Sequence, residues 1–140
     1  MKLILSLIFF FISVAAFSES PAKPQICEIT EVRYKLNGQI SKLKAELCTN
    51  AYGQFHSKDC QDGCEFKDKL KSTGSIKTET EKFGSPGGKV CSQLGYQAYL
   101  VEFDFKGQLV KNIDFCFTKS KDRFVSTGLL GDLNAMLTRK

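Results

Sequence analysis

His56, Cys60 and Cys64 recur at four-residue intervals, which places an imidazole and two thiols on one side of a helical turn. Such groups ligate zinc or, as thiolates, attack electrophiles. A structural zinc site needs four ligands in paired spacings, and His56 is the single histidine of the chain. The stretch from Asp59 to Gly63 approaches a calcium loop. Lys58 stands where its first carboxylate belongs, however, and Lys69 where its last ligand belongs. A hydrolytic triad needs an oriented base, and no G-x-S-x-G segment accompanies His56. The Cys60-to-Cys64 spacing is one residue longer than the redox Cys-x-x-Cys motif. No phosphate-cradling glycine motif occurs. The expectation is therefore no catalytic residue, no metal and no cofactor.

The chain carries 6 cysteines: Cys27, Cys48, Cys60, Cys64, Cys91 and Cys116. Its N-terminus says where they reside. Lys2 is followed by an apolar run from Leu3, and then by the small residues Ala15, Ala16 and Ser18. This pattern reads as a signal peptide over residues 1–18, cleaved after Ser18 or, alternatively, after Ala16. The run is short of the ~20 apolar residues that span a bilayer, and no second run follows. The expected location is secreted or periplasmic, with no transmembrane segment in the mature chain. In that compartment an even number of cysteines reads as three disulfides.

One pairing follows from the pattern. Asn37-Gly38 favours a type I′ hairpin turn, and Cys27 and Cys48 stand equidistant from it. A two-residue loop there sets Cys27 opposite Cys48, Val32 opposite Leu43 and Thr30 opposite Ala45. Tyr34 and Leu36 share the apolar face, while Glu31 and Lys44 meet on the polar one. Arg33 opposite Lys42 is the one unfavourable pair. Cys27–Cys48 falls at a non-hydrogen-bonded position, where Cα atoms stand ~4.5 Å apart and a disulfide fits. Closing that loop is worth about 3 kcal/mol.

Downstream, Asp62 and Glu65 resemble a capping box, with Phe66 and Leu70 on one face, which predicts a helix near 63–71. Cys60 and Cys64 either bond to each other or each reach another segment. Residues 73–85 read as a polar connector with an edge strand over 76–82. Tyr99, Val101, Phe103 and Phe105 then alternate before Lys106-Gly107. A three-residue loop with Gly107 in the left-handed position puts them on one face with Leu109, Ile113, Phe115 and Phe117. That face is the expected core, since packing is the commoner use of clustered aromatics than stacking on a ligand. Cys116 points away from it and is expected to meet Cys91. Phe124-Val125 suggests a further strand. Leu129, Leu130, Leu133, Met136 and Leu137 have helical spacing, with Thr127 or Asp132 as the start. The fold class read from these elements is β-rich α+β: two antiparallel hairpins in a small sheet, short helices and three disulfides. Residues 19–140 form one domain, with a hairpin part (27–72), the connector and a sheet part (86–140).

Ser85-Pro86-Gly87-Gly88-Lys89-Val90-Cys91-Ser92-Gln93-Leu94-Gly95, followed by Cys116-Phe117, resembles a family of small exported bacterial proteins loosely labelled as hemolysins. The resemblance covers about residues 84–117, with Ser85 where that family has Asn and Tyr96 where it has a second Gly. It implies a bacterial envelope protein and a Cys91–Cys116 bond. No lytic activity is carried over.

The formal net charge is +5, and loss of Lys2 with the leader lowers it to +4. Bases are concentrated toward the C-terminus, where Lys119, Lys121 and Arg123 form a candidate patch for an anionic partner. The functional expectation is a non-catalytic binding or inhibitory protein, its partner meeting loops 49–63, 72–89 or 118–128. A basic chain is a poor match for inhibiting cationic lysozymes. The alternatives are a basic protein held by anionic envelope polymers and a thiol–disulfide oxidoreductase. No specific nucleic-acid partner is expected.

Overall fold

The computed structural model describes residues 25–78 and 85–139. The expected signal peptide lies outside them. Strand β1 (Ile26–Leu36) turns through Asn37 (φ 51°) and Gly38 (φ 80°) into β2 (Gln39–Thr49). Both φ values are positive, as the type I′ turn requires. Cys27 faces Cys48, Val32 faces Leu43 and Thr30 faces Ala45. Cys27 and Cys48 are bonded, with Cα atoms 4.0 Å apart. The Arg33–Lys42 repulsion is relieved sideways. Glu102 on a neighbouring strand takes Arg33 at 3.1 Å, and Glu31 takes Lys42 at 3.1 Å.

After a short strand β3 (Phe55–Ser57) and a 3₁₀ turn (Lys58–Cys60), helix α1 runs over Cys64–Thr73. Its expected capping box does not form. Gly63 occupies the cap position with φ 89°, and no side chain caps the helix. Ile76–Thr78 are not in a strand, and the remainder of the edge strand expected there falls outside the described residues. Helix α2 (Pro86–Gln93) forms despite two glycines in its first turn. Ser85 caps it by accepting a hydrogen bond from the Gly88 N–H at 3.0 Å, and Pro86 opens its first turn.

Strands β4 (Gln97–Phe105) and β5 (Gln108–Phe117) form the second hairpin. Its loop has two residues, Lys106 (φ 50°) and Gly107 (φ 73°), not three. That register alone would turn Ile113, Phe115 and Phe117 outward. An extra residue in β5, beside Asn112 (φ 60°), shifts the pairing from Phe103↔Val110 to Val101↔Ile113 and brings them back inside. Val110 therefore takes the inward position expected for Leu109, which is 50% exposed. Strand β6 (Phe124–Ser126) and helix α3 (Thr127–Thr138) complete the chain. Helix α3 starts at Thr127, one of the two expected positions, and Ser126 caps it by accepting a hydrogen bond from the Leu129 N–H.

The two hairpins do not make a small open sheet. All six strands are antiparallel and close into a barrel in the order β1-β2-β3-β6-β5-β4. The seam is narrow: Arg33↔Glu102 and Tyr34↔Val101 join β1 to β4, and His56↔Val125 joins β3 to β6. One row of neighbours runs across the outer wall from Cys27 through Cys48, His56, Val125 and Cys116 to Ala98. Continuing the β4–β1 register brings it back to β1 at residue 37, ten positions beyond Cys27. So large a stagger for six strands tilts them steeply.

The barrel is filled. Val32, Leu47, Phe103, Phe115 and Phe124 are fully buried within it, and Phe115 stacks on Phe124 with centroids 5.0 Å apart. A second core lies outside the wall, where Cys116 and Val125 meet Phe66 and Leu70 of α1, Val90 and Cys91 of α2, and Leu129 and Leu130 of α3. The other two disulfides serve this layer: Cys60–Cys64 at the start of α1 and Cys91–Cys116 between α2 and β5. Among the described residues, no helix is long and apolar enough to cross a membrane.

Helices α2 and α3 meet at a glycine. A Cβ on Gly87 would stand 1.6 Å from the Thr127 carbonyl oxygen, whereas one on Gly128 would meet nothing closer than Gln54 at 3.7 Å. Gly87→Ala should therefore cost about 3 kcal/mol or more by overpacking, and Gly128→Ala should stay within about 0.5 kcal/mol of wild type. Urea midpoints of the two variants check the contrast.

Candidate anion-binding face

The residues that suggested metal or thiol chemistry are engaged in structure. Cys60 and Cys64 are bonded to each other. His56 is fully buried, with Nδ1 at 2.8 Å from the Ser57 carbonyl oxygen and Nε2 buried without a partner among the described residues. Among the described residues no group of three or more His, Cys, Asp or Glu side chains could hold a metal. The aromatic fill of the barrel leaves binding to the outside.

One end of the barrel gathers groups from distant segments. Tyr34 of β1, Tyr99 of β4 and Phe117 of β5 form an aromatic trio with centroid separations of 5.3, 5.4 and 5.8 Å. The β5–β6 loop arches over it. Thr118 N–H donates to the Arg123 carbonyl at 3.0 Å, and Lys121 N–H donates to the Thr118 carbonyl at 3.0 Å. The Asp122 carboxylate accepts from the hydroxyls of Ser120 and Thr118. These bonds, that from Ser120 foremost, hold the Asp122 carboxyl below its ordinary value against a lesser effect of burial, with help from the charge of Arg123. The loop thereby holds Lys121 in the left-handed region, at φ 59°. Its ammonium lies 5.5 Å from the Tyr34 centroid and 5.4 Å from that of Tyr99, within cation–π range of both.

Tyr99 separates two clefts. One, of about 300 Å³, is lined by Gly95, Tyr96, Gln97, Tyr99, Phe117, Thr118, Lys119 and Lys121. The other, of about 380 Å³, is lined by Arg33, Tyr34, Lys35, Ile40, Ala98, Leu100, Val101, Glu102, Lys111 and Asn112 together with Tyr99. Five of these side chains are basic and one is acidic, and Arg33 already engages that acid, Glu102. Among the described residues Lys35, Lys111, Lys119 and Lys121 form no ion pair. Unpaired ammonium groups beside low-dielectric aromatic walls concentrate positive potential.

Lys119 and Lys121 of the expected patch are thus brought together, whereas the exposed Arg123 lines neither cleft. Lys111 belongs to the expected base-rich C-terminal end, whereas nothing in the sequence marks Tyr34, Tyr99 and Lys35 as site residues. They join only once β1 lies beside β4. A further cleft of about 460 Å³ lies between α2 and α3. Ser85, Thr127 and Asn134 line it, with Lys77 its only base among the described residues.

No family model matches the chain, and no curated protein or solved structure does so either.

A carboxyl with a depressed value stabilises the folded loop above the ordinary Asp value of about 3.9, and that contribution is lost as pH falls through the folded value. We expect the Asp122 side-chain carbonyl resonance to titrate below the ordinary Asp range, with the Lys121 amide shifting in the same step. In Asp122→Asn the Lys121 amide should be insensitive to that pH interval. Acid titration followed by NMR checks both.

Proposed function

We propose that this chain is an exported, non-catalytic binding protein that holds an anionic partner on the face around Tyr99. The observation that carries the reading is the Lys121 ammonium, stationed over two tyrosine rings by a hydrogen-bonded loop and unpaired among the described residues. Lys119 on the same loop lines the adjoining cleft. A rigid support lowers the entropy lost on binding, and three disulfides stiffen this one. Export is supported by the same disulfides, by the leader-like N-terminus and by the resemblance in residues 84–117. Thiol–disulfide exchange is the weaker reading, because Cys48, Cys60, Cys91 and Cys116 are fully buried.

The test is chromatography of the exported, oxidised protein on immobilised polygalacturonate, a carboxylated polymer. Retention should fall with salt. Lys119→Ala/Lys121→Ala should weaken binding by about 5- to 30-fold, since an exposed charge contact is worth ~0.5–1 kcal/mol. Lys71→Ala/Arg139→Ala removes the same charge elsewhere and should elute as wild type. Equal losses in the two variants would reduce the effect to net charge and overturn the assignment of the face.

A further inference from the structure

We propose that the anionic partner is a phospholipid surface, met by the cleft between β1 and β4. This rests on the reading of the Tyr99 face as an anion site and adds what the lysines alone do not explain. Ile40 pairs with Lys35 across the first hairpin. The Tyr34↔Val101 register sets Lys35 beside Leu100 on the next strand. Ile40, Lys35 and Leu100 are therefore neighbours on the outer wall, and all three line the same cleft. The two aliphatic side chains are 66% and 56% exposed. Lys111 borders that cleft and Lys121 the adjoining one, with Tyr99 shared between them. Asp114 faces Leu100 across the second hairpin and bounds the patch on the β5 side.

A soluble polyanion would use the ammonium groups and leave Ile40 and Leu100 in water. A bilayer with anionic headgroups uses both kinds of group. The lysines meet the headgroups, the aliphatic side chains enter the headgroup–acyl boundary, and a tyrosine suits the interface between them. Stable attachment to a membrane surface generally takes two such signals at once.

The experiment compares co-sedimentation of the exported, oxidised protein with two kinds of vesicle, equimolar phosphatidylglycerol/phosphatidylcholine and phosphatidylcholine alone, with polygalacturonate retention measured in parallel. Partition should occur on the anionic vesicles only. Ile40→Ser/Leu100→Ser should lower that partition at least about tenfold, from the apolar burial lost, and leave polygalacturonate retention unchanged. The chain has no tryptophan, so Leu100→Trp supplies a single indole whose emission should shift to the blue on anionic vesicles. Retention on polygalacturonate with no vesicle partition, or partition that Ile40→Ser/Leu100→Ser does not change, overturns the membrane assignment and leaves the anion site standing. Failure to bind either material overturns the anion site itself.

Discussion

A single extra residue in β5 decides on which side of the wall Ile113, Phe115 and Phe117 lie. Side chains alternate across a strand, so a pairing shift of one residue exchanges inside for outside. The tight Lys106-Gly107 turn begins the hairpin in one register, and the irregularity beside Asn112 ends it in the other. The same correction sends Cys116 outward, where Cys91 can reach it. Without it the barrel would lose two of its phenylalanines, and α2 would lose its covalent tie to the sheet.

That alternation builds two cores on one wall. The inner one takes most of the aromatic residues, which fill the barrel. The outer one consumes the apolar faces of the three helices on the β5–β6 side. Among the described residues, β1, β2 and β4 add no side chain to that outer core, and Ile29, Ile40 and Leu100 on their outward faces stay exposed. Positive charge, tyrosines and exposed aliphatics meet there. Division of labour between the two sides of the barrel thus follows from where the helices fall along the chain.

The first hairpin is legible in the amino-acid sequence because its turn, its cysteine spacing and its alternation all lie within 27–48. Helix α3 is legible because the spacing of Leu129, Leu130, Leu133, Met136 and Leu137 is local, whereas β6 shows only as the apolar pair Phe124-Val125. Barrel closure is not legible, because β3 and β6 have three residues each and pair across long loops. Segments that short carry no period, and their partners are chosen by tertiary packing. The position of the β5 irregularity is equally hidden, since Leu109-Val110 is apolar at both positions. Lys119 and Lys121 stand out as a local basic run. Their tyrosine partners do not, because Tyr34 and Tyr99 read as ordinary core residues until the rim of the barrel is seen. Helix α2 is masked by Gly87, which is there for close approach to α3 rather than for a turn.

Strand β6 has three residues, yet Phe124 belongs to the inner core and Val125 to the outer. It cannot fray toward solvent from either side, and it stands between β5 and β3 in the barrel. Its ladder should open only when the whole molecule does, while the two hairpin tips breathe by small local excursions. Deuterium entering through the peptide groups would then trace a stiff waist between two yielding ends. A face at one of those ends is carried on a waist that does not give.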